Sequence, residues 1–325
     1  MVRMIFVRTP LRLELLGGGT DMSYFYDRSP GVTLNVTLNQ HVYIQINPSF
    51  DNQFLIRDKD TQKTSHIKDI NNPRVRAALQ FFKINKGLEI LSSSDVPMGG
   101  TGLGSSSSFT VGLLQGLAKL QNKKFSPRQL AEMACHIEID LLKEPIGKQD
   151  QYAAIASGAN LTTYQKGGKV TVKPVNWTLK TKREFEKHLI FIYIGKEHSS
   201  KNILEEQKQN LDRKIPYLKQ MAALAKEGLV VLQKGNFREF AHIMEKEWNI
   251  KKNLATISDA QIEHMYQKAL KAGAWGGKVS GAGMGGFLTL LAPANKIPQI
   301  EKAFKNSVVI YPRVSEYGSQ ILSSS

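Results

Sequence analysis

Residues 97–108 of the chain are Pro97-Met98-Gly99-Gly100-Thr101-Gly102-Leu103-Gly104-Ser105-Ser106-Ser107-Ser108. Four glycines within six residues allow positive φ angles and leave no Cβ atoms in the way, so consecutive N–H groups can turn toward one anion. Beyond them, Phe109, Leu113 and Leu117 recur at helical spacing, which predicts a helix that begins near Ser105. A helix N-terminus adds free N–H groups and a positive dipole end at the same place. The stretch therefore predicts a polyphosphate site.

A glycine-rich turn between a strand and a core helix is the alternative interpretation, because short glycine motifs have a high false-positive risk. One serine suffices to cap a helix, so a run of four serines is better explained by phosphate or Mg²⁺ binding. Two other phosphate loops are excluded. No lysine follows Gly104, as a P-loop requires, and Ser105 stands where the dinucleotide-binding fingerprint requires glycine.

Length, composition and charge limit the possible classes of protein. A chain of 325 residues exceeds the usual size of one hydrophobic core, so we expect two domains. With 41% hydrophobic and 22% charged residues, the composition is that of a globular protein rather than a disordered one. The net charge of +16 suits a nucleic-acid partner, but basic clusters such as residues 180–183 are short and lack interleaved aromatic residues. We expect no nucleic acid, since a positive field also attracts ATP and phosphorylated substrates.

The compartment is predicted from the cysteine content and the absence of long apolar runs. The single cysteine, Cys135, cannot form an internal disulfide, which is typical of a reducing compartment. Arg8 and Arg12 interrupt any apolar core of a signal peptide, and no apolar run approaches the length that spans a membrane. We therefore expect a cytoplasmic protein with no membrane partner.

A second glycine run stands near the start of the sequence. Residues 4–16 are rich in Ile, Phe, Val and Leu, which predicts a strand, and Gly17-Gly18-Gly19-Thr20-Asp21 follows. Three successive glycines allow a close approach of the backbone, and Thr20 and Asp21 supply a hydroxyl and a carboxylate beside it. Taken alone, the pattern favours a hairpin turn capped by Asp21 over a binding site.

Two acidic residues lie around a break between two predicted helices. Ser126-Pro127-Arg128-Gln129 is a capping box that begins the first helix, on which Glu138 falls in a largely apolar row. If that carboxylate is buried, it needs a cation or a strong donor; an exposed Glu138 fits the helical phase equally well. Pro145 and Gly147 end this helix, and Asp150 lies in the first turn of the next one. Taken alone, Asp150 is also explained as a residue that favours the helix dipole.

The remaining half of the chain is predicted to contain a hairpin within 161–175, a polar boundary segment at 176–187 and a strand at 188–194. Three helices are expected near 216–234, 237–253 and 259–272, the last two begun by capping boxes at Asn236 and Ser258. A third glycine-rich loop, residues 278–286, leads into an apolar strand at 287–291.

Together these three motifs resemble those of the GHMP kinases, the superfamily of galactokinase, homoserine kinase, mevalonate kinase and phosphomevalonate kinase. Pro-x-x-Gly-x-Gly-Leu-Gly-Ser-Ser is similar to the second motif of the family, and residues 9–21 are similar to its first motif in the sugar-kinase form. The resemblance implies an α+β fold of two domains, 1–180 and 181–325. The first would be of the ribosomal-protein type and the second ferredoxin-like, with the ATP and substrate cleft between them.

The resemblance also assigns roles to residues. Asp150 would orient and deprotonate the acceptor hydroxyl, and Arg12 would lie near that carboxylate and the transferring phosphate. Ser106 and Glu138 would bind Mg²⁺ on the phosphates of ATP. The acceptor would be bound by Gly18, Gly19, Thr20 and Asp21. ATP would be bound by Gly99, Gly100, Thr101, Gly102, Leu103, Gly104, Ser105, Ser106 and Ser107. The loop at 278–286 would pack against the phosphate loop, with no catalytic role for Ser280.

The glycine motifs and Gln149-Asp150-Gln151-Tyr152 are similar to those of the bacterial D-glycero-D-manno-heptose 7-phosphate kinases, which act on an anomeric hydroxyl. This resemblance implies an ATP-dependent kinase for that sugar phosphate, acting as a monomer or a homodimer. Two alternatives stay open: a kinase for another sugar (fucose, galactose) or a small alcohol, and a catalytically silent sensor of ATP and sugar. The segment from Pro97 to Gly102 is one residue longer than the usual Pro-x-Gly-x-Gly form.

Overall fold

The fold is described from a computed structural model, which covers residues 4–195 and 200–324. The strands, numbered in chain order, are β1 Ile5–Leu16, β2 Gly31–Pro48, β3 Phe54–Arg57, β4 Thr61–Thr64, β5 Leu88–Ser94, β6 Ala159–Gln165, β7 Lys169–Pro174, β8 Leu189–Tyr193, β9 Gly276–Val279, β10 Phe287–Leu291, β11 Val309–Ile310 and β12 Gln320–Ser324. The α-helices are α1 Ser23–Tyr26, α2 Pro73–Phe81, α3 Ser105–Leu120, α4 Pro127–Cys135, α5 Gln149–Ile155, α6 Leu179–His188, α7 Ser200–Lys208, α8 Leu211–Gln233, α9 Phe237–Lys251, α10 Ala260–Lys271 and α11 Ile297–Ala303. None of the helices in the described ranges is long and apolar enough to cross a membrane.

A large sheet forms the first half of the molecule. Its strand order is β12-β1-β2-β5-β3-β4, and β6 and β7 extend from β2. The strand β2 is long enough to pair with β6 along residues 31–36 and with β5 along residues 42–48. Sequence patterns predicted two strands at 32–36 and 41–46, but they are one strand, because His41 stays paired with Pro10 of β1. The last strand, β12, also pairs with β1, so residues 320–324 belong to this sheet although they lie beyond residue 181.

The predicted helix behind the glycine run packs directly on this sheet. Its stripe of Phe109, Leu113 and Leu117 is buried in the main hydrophobic core. Two glycines allow the close approach: a Cβ on Gly112 would lie 2.5 Å from Thr9 Oγ1, and one on Gly116 would lie 2.7 Å from Ile46 Cδ1. The sheet therefore fixes α3, and with it the phosphate loop that precedes the helix.

A smaller antiparallel sheet, ordered β11-β8-β10-β9, forms the second half with α7, α9, α10 and α11, whereas α8 packs on α9 and on β1 and β2 of the large sheet. The buried apolar side chains of β8 and β10 pack with Trp248 of α9 and Tyr266 of α10 in one hydrophobic core. The segment 176–187, predicted as a polar boundary, instead contains α6, capped by Thr178. The N-cap of α10 is Asp259 rather than the predicted Ser258, since the Asp259 side chain accepts from Ile262 N.

The helix that carries Glu138 changes its winding along its length. The capping box at Ser126 begins α4 as predicted, but after Cys135 the chain continues as a π-helix, His136–Leu141. A π-helical turn inserts one extra residue per turn and often occurs at functional sites. It turns Glu138 toward α2 and α3 and gives the side chain its partners.

Candidate active site

The phosphate loop has the conformation that its glycines predict. Gly99, Gly100, Gly102 and Gly104 have φ angles of 105°, 67°, 71° and 75°. Gly104 immediately precedes α3, so the loop ends at the helix N-terminus. The loop lines a cleft together with the adjacent loop of residues 280–285. This arrangement suits an anion bound by backbone N–H groups.

The third glycine-rich loop packs against the phosphate loop, backbone to backbone. A Cβ on Gly281 would lie 2.5 Å from the Cα of Gly102, and one on Gly286 would lie 2.4 Å from the carbonyl oxygen of Thr101. Both glycines have positive φ angles, 67° and 77°. The Ser280 hydroxyl pairs with Thr289 Oγ1 at 2.7 Å inside the smaller sheet.

Arg12 and Asp150 form a fork-shaped ion pair at the end of the phosphate loop. The guanidinium Nε lies 2.8 Å from Asp150 Oδ1, and Nη2 lies 2.9 Å from Oδ2. Nη1 of Arg12 donates to the carbonyl oxygen of Gly102. Burial alone would lower the pKa of Arg12, but Asp150 raises it, so the guanidinium stays charged. A Cβ on Gly104 would lie 3.4 Å from Asp150 Oδ2, which places the carboxylate directly beside the loop.

Asp21, in the first glycine motif, also lines the cleft. Its carboxylate accepts from the N–H groups of Gly19, at 3.2 Å, and Gln149, at 3.1 Å. Burial raises the pKa of Asp21 to about 6, and the charge of Asp150 adds to this rise, although the N–H of Gln149 opposes it. Asp21 and Asp150 therefore face the same cleft, as predicted for an acceptor site.

Two residues of the first motif do not face the cleft. The Thr20 hydroxyl, predicted to bind the acceptor, is fully buried and donates to the carbonyl oxygens of Gly17 and Val32. Gly18 packs on the Glu14 side chain, 2.1 Å from the position of a Cβ. We correct both assignments: Thr20 and Gly18 shape the loop, whereas Gly19 and Asp21 line the cleft.

Glu138 is fully buried, which decides between the two positions that its helical phase left open, and it has the cation that a buried carboxylate requires. Oε1 accepts from Arg74 Nε at 3.0 Å and from Thr110 Oγ1 at 2.7 Å. Oε2 accepts from Ser107 Oγ at 2.8 Å and from Gln151 Nε2 at 2.6 Å. The Ser107 side chain, predicted to bind ATP, thus holds Glu138 instead.

Ser106 and Glu138, the predicted Mg²⁺ ligands, differ in whether their oxygens are free to bind an ion. The Ser106 hydroxyl is exposed in the cleft, whereas four donors occupy both oxygens of Glu138. Within the described ranges no group of three or more His, Cys, Asp or Glu side chains can hold a metal ion. Ser106 and Glu138 therefore do not form an open metal site as they stand, since Glu138 would have to exchange a donor for the ion.

Arg74 is a partner that sequence reasoning missed. It lies at the start of α2 and also pairs with Glu144 at the edge of the cleft. The pair Asn72-Pro73 indicates a helix N-terminus and thereby the position of Arg74, because Asn72 caps the helix by accepting from Arg74 N at 3.0 Å. The pairing of Arg74 with Glu138 could not be predicted, since 64 residues separate the two.

A buried ionic cluster, made of Glu14, Glu247, Lys251 and Lys278, joins the first and third glycine motifs at the cleft. Lys278 Nζ lies 2.7 Å from Glu247 Oε2 and also bonds Glu14, while Glu247 accepts from Gly17 N. Lys251 Nζ lies 3.5 Å from Glu14 Oε2 and donates to the carbonyl oxygen of Gly281 at 2.7 Å. Burial alone would raise the pKa of Glu14, but Lys251 and Lys278 lower it to about 2. The cluster thereby connects the acceptor loop to the loop at 280–286.

Comparisons with known proteins agree with this geometry. Residues 72–158 match the GHMP kinases N terminal domain family, and residues 221–310 match the GHMP kinases C terminal family. The chain is 31% identical to the D-glycero-alpha-D-manno-heptose 7-phosphate kinase of Campylobacter jejuni, with 94% of each chain covered.

Two solved structures have the same fold. A D-glycero-D-manno-heptose 1-phosphate kinase from Bacteroides thetaiotaomicron superposes with a TM-score of 0.82 at 23% identity, covering 98% of this chain and 99% of that one. A sugar kinase described as putative from Campylobacter jejuni superposes with a TM-score of 0.75 at 25% identity, covering 100% of this chain and 99% of that one.

Proposed function

The chain belongs to the GHMP kinases, phosphotransferases with an alcohol acceptor, and from this premise we propose that it phosphorylates the anomeric hydroxyl of a sugar phosphate with ATP. The acceptor we propose is D-glycero-D-manno-heptose 7-phosphate, which would give the 1,7-bisphosphate. The observation that carries the proposal is the position of the Arg12–Asp150 pair against Gly104, at the point where the phosphate loop meets α3.

The proposed chemistry divides between the loop and the ion pair. Backbone N–H groups of residues 99–106 would hold the phosphates of ATP, with their terminal phosphoryl group next to Arg12. Asp150 would hold the acceptor hydroxyl in line with that group and take its proton. A strong base is not required, because phosphoryl transfer depends mainly on positioning and charge neutralisation.

Mg²⁺ as a cofactor, with Ser106 and Glu138 as its ligands, stays a prediction. A bound Mg²⁺ would neutralise charge on the phosphates of ATP. The roles of Asp150 and Arg12 do not depend on which side chains bind the ion.

The substitution Asp150→Asn tests the proposal. We expect turnover to fall by roughly 10² to 10⁴, the usual contribution of a positioned proton acceptor. Binding of ATP, measured by calorimetry, should be unchanged. ADP release over a panel of heptose 7-phosphate, galactose, fucose and mevalonate identifies the acceptor.

Asp140→Asn is the matched control, since Asp140 is exposed and pairs only with His136 among the described residues. This variant should keep wild-type turnover. A wild-type rate in Asp150→Asn would contradict the assignment of Asp150, and turnover of no sugar would contradict the proposed function.

A further inference from the structure

Gln207 has a buried amide oxygen that no donor satisfies. The residue is 3% exposed and lies on α7, which follows the smaller sheet's strand β8 in the chain. Among the described residues no donor lies within hydrogen-bonding distance of its Oε1, although Gln207 lines the cleft. An unsatisfied buried acceptor costs roughly 1 to 3 kcal/mol, so native structures usually provide a partner for it. Since Gln207 lines the cleft, a ligand that binds there can supply that partner.

The amide oxygen lies directly over the acceptor loop. It is 3.5 Å from the place where Gly19 would carry a Cβ, and Leu218 Cδ2 is also 3.5 Å from that point. Gly19 is two residues before Asp21, and its missing side chain leaves the space between this loop and α7 free. Gln207 therefore faces the same space as the Asp21 carboxylate, but from the C-terminal half of the molecule.

A second glutamine repeats the pattern. Gln149 lines the cleft, its N–H donates to Asp21 Oδ2 at 3.1 Å, and its side-chain Oε1 is buried without a donor among the described residues. Asp21, Gln149 and Gln207 thus present three groups of acceptor oxygens to one space. The ligand that suits such a space donates several hydrogen bonds from hydroxyl groups, as the carbon chain of a polyol does.

The helix that carries Gln207 is held in place from two sides. Ile203, one turn earlier on the same face, is buried in the core of the smaller sheet. Glu206 Oε1 accepts from Thr256 N at 3.0 Å, and the Glu206 carbonyl accepts from Lys214 Nζ at 2.6 Å. A fixed helix with an unpaired inward acceptor is the arrangement expected of a residue that selects a ligand.

We propose that Gln207 determines acceptor specificity: its amide oxygen accepts a hydrogen bond from a hydroxyl on the sugar's carbon chain, bound over Gly19. This inference rests on the proposed function and names a contact that the three motifs do not contain. It also assigns to α7 a part in acceptor selection that is separate from catalysis at Asp150.

The test replaces Gln207 by methionine, which keeps the length of the side chain and removes the amide. The sugar is the one that the wild-type enzyme phosphorylates best in the panel above. We expect its KM, and its Kd measured by calorimetry without ATP, to rise roughly 5- to 30-fold, the range for one lost hydrogen bond with a partner left unpaired. The KM for ATP should not change.

Gln209→Met is the control, because Gln209 is exposed on the same segment two residues later. It should leave the KM for the sugar unchanged. Monodeoxy analogues, each of which lacks one hydroxyl of the sugar, distinguish a direct contact from a structural effect of Gln207. One analogue should bind the wild type more weakly than the parent sugar does. Gln207→Met should bind that analogue as well as it binds the parent sugar.

The outcomes separate the two proposals. If the wild type is active and Gln207→Met keeps its affinity for the sugar, or distinguishes every analogue as the wild type does, the role of Gln207 is wrong and the kinase function stands. If the wild type phosphorylates no sugar, both fall.

Discussion

Asp21 combines burial with a site for hydroxyl groups, and this combination predicts a pH dependence. The pKa of Asp21 is raised to about 6, chiefly by burial. Only the ionised carboxylate offers all its oxygen lone pairs to sugar hydroxyls. We expect kcat/KM for the sugar to fall as the pH drops through about 6, in initial rates measured from pH 5 to 8. Asp21→Asn should be slower throughout and lose this limb of the profile. A limb that persists in Asp21→Asn would assign it to another group.

The raised pKa of Asp21 also makes the free energy of unfolding decrease as the pH rises. A carboxyl group whose pKa is about 6 in the folded protein and near 3.8 when unfolded favours folding when neutral. Its contribution is complete below pH 3.8 and is lost as the pH rises through 6. At neutral pH the ionised Asp21 therefore lowers the free energy of unfolding, by an amount on the order of 3 kcal/mol. Such strain is common where a protein keeps a charge buried for function.

At the residue scale the sequence predicted the chemistry of the site better than its partners. The places of Asp150, Glu138 and the phosphate-loop glycines on their elements follow from local spacing, and the roles of the two acids follow from the family resemblance; the structure brings these residues to one region. Arg74 and Gln207 did not follow from spacing, because helix packing brings them to the cleft from distant parts of the chain. Thr20 was assigned to acceptor binding because its hydroxyl stands beside a carboxylate in the sequence. In the structure that hydroxyl instead donates to backbone carbonyl oxygens.

At the scale of elements, the contact between the two glycine-rich loops can be tested by Gly281→Ala. The added Cβ would lie 2.5 Å from the Cα of Gly102, so one backbone must move. Since Gly102 belongs to the phosphate loop, we expect the KM for ATP to rise and kcat to fall, each by roughly tenfold or more for a displacement near 1 Å. Steady-state kinetics and the thermal unfolding midpoint measure both effects.

Gly158→Ala separates strain from contact. Gly158 has a φ angle of 66°, nearly that of Gly281, but no atom lies within 4 Å of its added Cβ. This control carries the cost of a left-handed alanine, about 1 kcal/mol, without moving the phosphate loop. Equal kinetic effects in the two variants would show that the loop contact has no functional role.

Most elements were predictable because their signals are local. The capping box at Ser126, the stripe of α3 and the apolar strand β10 each depend on neighbouring residues, and each was confirmed. The continuous strand β2 and the π-helix at 136–141 depend on tertiary contacts: the first needs its pairing with β1, and the second accompanies the buried contacts of Glu138. Element type was therefore easier to predict than the exact winding.

At the scale of the whole molecule, the buried ionic cluster links the large sheet to the C-terminal half. Glu14 belongs to β1, Glu247 and Lys251 to α9, and Lys278 to β9. The charges balance only when all four side chains are present. Removing one partner of a buried pair leaves an uncompensated charge, which costs about 3 to 5 kcal/mol. Lys278, which touches two carboxylates, thus contributes to the union of the two halves beside the apolar contacts of α8 with β1 and β2.

Lys278→Met tests this contribution. We expect the free energy of unfolding in urea to fall by about 3 to 5 kcal/mol at pH 7, because Lys251, 3.5 Å from Glu14, would be the only lysine of the cluster left for two buried carboxylates. Lys187→Met is the matched control: its partner Glu184 lies 2.7 Å away on the surface, and such exposed pairs contribute about 0 to 1 kcal/mol.

The pKa of Glu14, about 2 in the intact cluster, adds a second readout. Stability from ionised Glu14 is complete above its usual pKa of 4.5 and is lost as the pH falls toward 2. The variant should lose less stability over this acidic range than the wild type does, since its Glu14 is already poorly paired. A loss below 1 kcal/mol at pH 7, together with an unchanged acid limb, would mean that apolar packing alone joins the two halves.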